Sequence, residues 1–504
     1  MVRNRDESTE PRPSTLTVEA RVPVTLGSSG WLVFDLVILL YWAFVIILIV
    51  AEDRDPTAAL GWLLVLVSLP FVGLVIYFFF GRNWPVISQR SAKVKHVKAT
   101  TASFMKGVHG RHRERALAFT GALARPWVQR NVNLIEKTVA TPPMPVRTCE
   151  VYGDGAEYFD VLLADLAGAK RFVHMSYFIW GRDELTARIT ATLLDRLAAG
   201  VEVRILNDFV GCLTYKKDEL KRLEAAGAMI GSDLTGIARL NYSNHRKITV
   251  VDAEIGHSGG FNVGQEYIDG GKRFPAWRDT GIRMTGPGVA DLEKLFDMRW
   301  LEAQQENLFD ARYFPDPALP SGEIMVQTVH HGHDDPWHSV TRSYQVAISG
   351  ARDRIQVQTP YFVPDPTTMD VLLNAAASGV QVDLMTTSWL DKKFPWWAAE
   401  SFFEDFLEAG GRIFQWQKGF FHAKSITIDG EACAIGTLNL DIRSLKINKE
   451  LMVWVYDRDI AAQHEQIFVN DLRDCRELTL DEVHSWGRVR RFRNSFARLF
   501  SNLL

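Results

Sequence analysis

The stretch FFHAKSITIDG near residue 421 places His422 and Lys424 two positions apart, with Asp429 further along. The stretch NHRKITVVD repeats the pattern with His245, Lys247 and Asp252. A small-residue turn follows each copy at the same distance, Gly259-Gly260-Phe261-Asn262 in one and Gly436-Thr437-Leu438-Asn439 in the other. Two imidazoles, two ammoniums and two amides form an all-nitrogen set suited to a phosphorus centre with anionic oxygens. Lysines and asparagines neutralise and position the oxygens. One imidazole attacks phosphorus to give a phosphoryl-histidine. The other protonates the leaving alkoxide, then deprotonates the incoming alcohol. No carboxylate cluster with metal-ligand spacing accompanies the set, so this chemistry calls for no metal and no cofactor. Side chains alternate along a strand, so His245 and Lys247 share a face, as do His422 and Lys424. Asp252 and Asp429 lie an odd number of residues from their histidines. They are expected to face away or cap the strand, ordering the loop rather than carrying a proton.

The elements that must position these residues are themselves repeated. LADLAGAKRFVHMSYFIW, LLDRLAAGVEVRILND and LKRLEAAGAMI precede the first motif. YQVAISGARDRIQVQTPYFVP, LLNAAASGVQVDLMTTS and FEDFLEAGGRIF precede the second. Helical apolar spacing ending at Gly, then short β-branched runs, predicts alternating helices and strands in each half. That alternation predicts an α/β fold with a mostly parallel sheet in each half, the two related by a pseudo-twofold axis. The Pro-rich stretch at 311–323 marks the boundary.

Two apolar runs, Trp31 to Ala51 and Ala59 to Phe80, are each long enough to cross a bilayer, which predicts a transmembrane hairpin. Basic residues after the second run (Arg82, Arg90, Lys93, Lys95, Lys98) outweigh Arg54 in the acidic loop between the runs. The positive-inside rule then places both termini in the cytoplasm. At the other end, SWGRVRRFRNSFARLFSNLL sets Val489, Phe492, Phe496, Phe500 and Leu503 at helical steps among arginines. This predicts a basic amphipathic helix on an anionic membrane surface, the alternative being a helix docked on the protein's own core.

Other signals have plainer readings. A net charge of −3 gives no chain-wide attraction to nucleic acid. Four dispersed cysteines form no CxxC pair and read as free thiols. VHHGHDD, with His330, His331 and His333, reads as a solvated loop rather than a metal site. FPWWAAESFF reads as core packing, with an acyl-chain groove or bilayer-dipping element as the alternative. NYS at 241–243 is a glycosylation sequon that a cytoplasmic face would leave inert.

The doubled HxKxxxxD motifs, each followed by GGFN or GTLN, resemble the phospholipase D superfamily over residues 148–485. With the apolar runs, TPYFVPD, GTLNLDIRSLKINKE and the basic C-terminal helix, the chain resembles bacterial cardiolipin synthases of that type. The resemblance implies two phospholipase D-type α/β/α halves, 148–315 and 316–484. Around them it implies an N-terminal arm (1–30), two membrane helices (31–80), a juxtamembrane connector (81–147) and the C-terminal helix (485–504). It implies a multi-pass protein of the bacterial inner membrane with cytoplasmic catalytic halves. The implied reaction condenses two phosphatidylglycerol molecules to cardiolipin and glycerol, without metal or nucleotide. The six motif residues His245, Lys247, Asp252, His422, Lys424 and Asp429 carry over as catalytic. Asn262 and Asn439 carry over as phosphate-positioning, and Asp279 in WRDT and Glu450 in NKE as the carboxylates that orient the imidazoles. By analogy with several members, His245 is taken as nucleophile and His422 as acid, an assignment that sequence does not decide. GGFN departs from the GS commoner in the superfamily and loses a hydroxyl donor. Hydrolysis, or transfer to another alcohol, would use the same residues. A nuclease is disfavoured by the apolar runs, and an inactive scaffold by two intact motifs. Oligomeric state is not readable from the chain.

Overall fold

The computed structural model describes residues 28–52, 56–81, 92–122, 125–209, 211–212, 218–232, 242–304, 306–315 and 322–501. Expectations placed on the arm at 1–27, the loop at 53–55, the flank at 82–91, Asn241, the centre of the Pro-rich stretch and Leu503 lie outside those residues. The chain divides into two compact units, Met1–Gly81 and Arg82–Leu504.

In the first unit, the first apolar run forms the helix Ser28–Val50. Its Trp31–Val50 segment is long and apolar enough to cross a membrane. The second run does not make a matching helix. It breaks into Pro56–Ser68, a short Val72–Ile76 helix and a π-turn at Tyr77–Gly81. Pro70 removes an amide donor and its ring collides with the carbonyl one turn back. Phe71 then takes a left-handed φ of 66°. The 13-residue piece rises only about 20 Å, against about 30 Å of hydrocarbon. The pieces fold back, with Leu66 and Tyr77 against Val45 and Ile49. The Tyr41 hydroxyl donates to Leu66 O at 3.0 Å and that of Tyr77 to Glu52 at 2.9 Å. The expected transmembrane hairpin is therefore corrected to one candidate span. The multi-pass inner-membrane placement, with the orientation built on it, is corrected too.

Among the described residues, the second unit carries two large sheets, one in each half, and a two-stranded sheet of Trp277–Arg278 and Phe420–Phe421. The first half orders its seven strands as Thr148–Tyr152, Gly281–Thr285, Ile255–Gly259, Ile248–Val251, Phe172–Tyr177, Glu202–Asn207 and Met229–Ser232. The second half repeats the order from Glu450–Val455 through Ala432–Gly436, Ser425–Ile428, Arg354–Gln358, Gln381–Thr387 and Arg412–Trp416. Met144–Val146 and Ile324–His331 extend one edge and Cys475–Leu478 the other. The sheets are mostly antiparallel, contrary to the mostly parallel expectation. Among the described residues, only the two pairings made across helical crossovers are parallel in each large sheet. Each motif strand instead turns straight back into its neighbour, Ile248 facing Ser258 and Ser425 facing Ile435. A tight turn between adjacent strands permits only antiparallel pairing. The helix–strand periodicity reports the crossovers and is silent about these hairpins.

Residues ahead of the first half take part in the core of the second. Helix Pro126–Val139 buries Trp127, Val128, Val132 and Ile135, and the Trp127 ring lies 5.9 Å from that of Trp454.

Candidate active site

The motif residues sit just ahead of two central strands, Ile248–Val251 and Ser425–Ile428. Each motif segment is held by the opposite half. Phe420–Phe421 pairs with Trp277–Arg278, and the His422 amide donates to Arg278 O at 2.7 Å. In the mirror position, Asn244 bridges Lys449, and the His245 amide donates to Lys449 O at 2.9 Å. The residue after each of these partners is a carboxylate, Asp279 or Glu450.

The pairing of side chains is therefore crossed. His422 Nδ1 lies 2.6 Å from Asp279 Oδ2, and His245 Nδ1 lies 3.1 Å from Glu450 Oε2. Both carboxylates are fully buried. Asp279 Oδ1 also accepts from the Thr280 amide at 2.8 Å, and Glu450 accepts from the Thr437 hydroxyl at 2.5 Å. A carboxylate on Nδ1 fixes the Nδ1–H tautomer and leaves the Nε2 lone pair available. The glycine turn of the first half is shaped by this arrangement, since a Cβ on Gly260 would fall 1.9 Å from Asp279 Oδ1. Thr437 holds the equivalent position in the second half and supplies the hydroxyl that Gly260 lacks.

Aromatic rings wall off both imidazoles. Trp277, Phe420 and Tyr267 lie 5.3, 5.6 and 6.2 Å from His422, and Phe178 lies 5.2 Å from His245. This burial, together with the Lys424 charge, pushes His422 down to about 3. His245 is lowered as well, first by burial, with Glu450 opposing. Lys247 and Lys424 are 1% and 0% exposed, and burial brings them down to about 7 and about 8. Their ammoniums rest on main-chain carbonyls, Lys247 on His245 O at 2.6 Å and Lys424 on His422 O. Burial alone would raise Asp279 and Glu450, but the facing lysines and histidines win and hold both below the ordinary carboxylate value. The charges of the two halves act on one another, since Lys247 responds to Glu450, Lys424 and Asp279.

The amides differ. Asn262 spends its oxygen on the Ile179 amide at 3.2 Å and its nitrogen on the Tyr267 hydroxyl at 2.6 Å. Asn439 Oδ1 is buried without a hydrogen-bond partner. Asp252 and Asp429 are not brought to the imidazoles. Both adopt left-handed φ, 55° and 53°, at the far ends of their strands. Asp252 accepts from the amides of Lys170, Arg171 and Phe172 at 2.7–2.9 Å. Asp429 accepts from Arg352, Asp353 and Arg354 at 2.9–3.2 Å.

Sequence reading passed over Thr437, Tyr267, Trp277 and Phe178. Thr437 alone had a signal, lying inside the repeated turn. VHHGHDD is not a solvated loop: His330 and His331 end strand Ile324–His331, and His331 is 1% exposed with Nε2 2.8 Å from Ser444 O. Among the described residues, the groups close enough to share a metal ion are His174–Glu293–Asp297 and Glu404–Glu408–His484, away from both motifs.

Residues 344–472 match the family described as "Cardiolipin synthase, PLD-like domain", and residues 37–82 match "Phospholipase_D-nuclease N-terminal". A cardiolipin synthase of Oceanobacillus iheyensis is 32% identical over 487 residues, covering 94% of this chain and 99% of that protein. The major cardiolipin synthase ClsA of Bacillus subtilis is 33% identical over 474 residues, covering 91% and 96%. A crystal structure of phosphatidylserine synthase from Haemophilus influenzae shares the fold, with a TM-score of 0.59 at 14% identity over 74% of this chain and 99% of that one. Identity at this level along nearly the whole length of both proteins places the chain in the bacterial cardiolipin synthase family of the phospholipase D superfamily.

Proposed function

We propose that this protein is a membrane-bound phosphatidyltransferase that condenses two phosphatidylglycerol molecules to cardiolipin and glycerol. The observation that carries the reading is the crossed pairing of each imidazole with a carboxylate of the other half. It leaves two Nε2 atoms available at a site lined by two lysines. The His245 Nε2 lone pair attacks phosphorus, the bond from phosphorus to the glycerol oxygen breaks, and His422 gives that oxygen its proton. The terminal hydroxyl of a second phosphatidylglycerol then loses its proton to His422 and attacks the phosphatidyl-histidine. The P–N bond breaks and cardiolipin leaves. Lys247 and Lys424 stabilise the charge that builds on the equatorial oxygens. The negative phosphodiester favours the imidazolium, so the acid gains its proton as substrate arrives. Asp252 and Asp429 are assigned as braces, and the amides of Asn262 and Asn439 as supports of the phosphate pocket.

Access to lipid is assigned to the C-terminal helix Arg488–Arg498 and the aromatic helix Lys393–Glu400 beside it. Arg490 and Arg493 turn inward onto Glu400 at 2.5 and 2.7 Å. Val489, Phe492 and Leu499 are left 84%, 75% and 77% exposed. Phe394 joins this patch, its ring 6.0 Å from that of Phe500. An exposed apolar stripe beside arginines fits an anionic lipid surface.

The test is reconstitution in phosphatidylglycerol vesicles with a chelator, following lipids and glycerol by mass spectrometry. Cardiolipin and glycerol are expected in equal amounts. Phosphatidic acid alone would make the protein a hydrolase, and loss of turnover in chelator would overturn the metal-free route. His245→Ala and His422→Ala are each expected to abolish turnover.

A further inference from the structure

A cavity of about 830 Å³ lies within the second unit, on the far side of the catalytic backbone. Strand-like alternation sends His245 and Lys247 into the active site and the residue between them, Arg246, into this cavity. Lys449 likewise faces the cavity, while its neighbour Glu450 faces His245. The lining holds seven lysines and arginines against four carboxylates. Lys98 pairs with Asp334, Lys294 with Asp291 at 3.5 Å, and Lys449 and Arg299 share Glu302. Arg246 is 5% exposed, and its guanidinium donates to the carbonyls of Glu450 and His331, at 3.2 and 2.8 Å, with the charges of Asp334, Glu450 and Asp335 acting from further off. Among the described residues, no carboxylate pairs with it. His330 also lines the cavity, and its Nδ1 is buried without a partner. Burial brings Arg246 and Arg299 down to about 10 and lowers Lys294. At the mouth, Lys106 and Arg113 are exposed and, among the described residues, make no ion pair. Met105, Leu117 and Met298 give the same cavity an apolar wall.

The pseudo-twofold supplies an internal control. In the second half the residue between His422 and Lys424 is Ala423, fully buried in an apolar cluster with Phe421, Phe468 and Trp416. Arg278 is the counterpart of Lys449 there, and Asp471 neutralises it at 2.8 Å. One side of the pseudo-symmetric site is thus filled and neutral, while the other is an open basic cavity. A buried cation without an ion pair costs free energy, and the Arg246 guanidinium in that state is suited to a phosphate oxygen pair.

We propose that this cavity is a second anion site, separate from the reacting centre, that binds a phosphate group through Arg246, Lys294 and Arg299. Its ligand is either the phosphodiester head of an anionic glycerophospholipid, with its stem along Met105 and Met298, or inorganic phosphate. Calorimetric titration of the full chain in neutral detergent tests it, with inorganic phosphate and dihexanoylphosphatidylglycerol as probes. The active-site clamp is removed by Lys247→Met and Lys424→Met. One saturable site per chain is expected to remain. Arg246→Gln is expected to weaken it at least tenfold, and Lys106→Glu with Arg113→Glu at least threefold. The exposed pair decides the matter if the buried substitution unfolds the chain. Should the clamp-free chain itself not fold, the unaltered chain is expected to bind two phosphates, and one would overturn the proposal. So would absence of saturable binding of either probe, or equal affinity in both sets of variants. Lipid binding at least tenfold tighter than inorganic phosphate assigns the site to a headgroup, and comparable binding assigns it to the free ion. The readout is binding, so it stands apart from whether the chain makes cardiolipin.

Discussion

At the scale of single residues, the crossed carboxylates occupy Nδ1 of each imidazole, and in the proposed mechanism that leaves Nε2 to react. Asp279→Asn and Glu450→Gln remove the charge but keep the shape. The expected result is a fall in kcat of about 10²–10⁴-fold, the size of a general acid–base contribution, with KM little changed. A loss below tenfold in both would mean that the carboxylates only fill space. The lysines make a second prediction. Lys247 and Lys424, at about 7 and about 8, are charged below those values and neutral above them. Inhibition of turnover by tungstate, a phosphate mimic competing at the lysines, is therefore expected to hold at pH 6 and weaken through pH 7–9. Above about pH 8 the slope approaches tenfold per pH unit for each lysine that must carry charge. Affinity rising with pH would reverse the assignment. The histidines and lysines were legible because type and spacing repeat within each motif. The crossing was not, because the partners lie 143 and 205 residues apart, and only the fold brings them together.

At the scale of elements, each motif aspartate closes the turn after its strand by gathering amides at the start of the neighbouring strand, Phe172–Tyr177 or Arg354–Gln358. Hydrogen bonds to a charged acceptor contribute about 1.5–3 kcal/mol. Asp252→Ala and Asp429→Ala are each expected to cost about 2 kcal/mol in denaturant unfolding, with kcat per folded molecule nearly unchanged. A lost kcat in a fully folded variant would give the aspartate a chemical role instead. Gly260→Ala tests the opposite kind of element. Its Cβ would occupy the place of Asp279 Oδ1, so turnover should collapse while the fold survives outside the turn. The helices, the crossovers and the pseudo-twofold order followed from apolar periodicity and the Gly stops. The antiparallel majority did not, because ITVV and SITI read the same whichever way their neighbours run, and hairpin pairing is set by turn length. Pro70 was visible in the second apolar run, yet hydropathy summed over the run outweighed it. Its local effect, a missing amide and a steric clash, is what ends the helix.

At the scale of the whole molecule, the proposed reaction requires the catalytic halves to reach a lipid, and the face best suited to that is built inside out. In an ordinary docked amphipathic helix the apolar stripe faces the protein. Here Asn494 and Ala497 face it, Arg490 and Arg493 hold Glu400, and Val489, Phe492 and Leu499 stand in solvent. Burying one such side chain in hydrocarbon is favourable by about 1.5–3 kcal/mol relative to leaving it in water, and the gains of several add to the docking energy. Phe492→Glu combined with Phe496→Glu is therefore expected to lower turnover on phosphatidylglycerol vesicles about tenfold or more. Turnover on monomeric dihexanoylphosphatidylglycerol, which needs no bilayer, should stay within twofold or so of the unaltered chain, because neither phenylalanine touches the motif residues. The ratio of the two activities isolates docking from chemistry. Equal loss on both substrates would mean that the helix serves the stability of the catalytic body, and the lipid-facing assignment would then have to move to another surface.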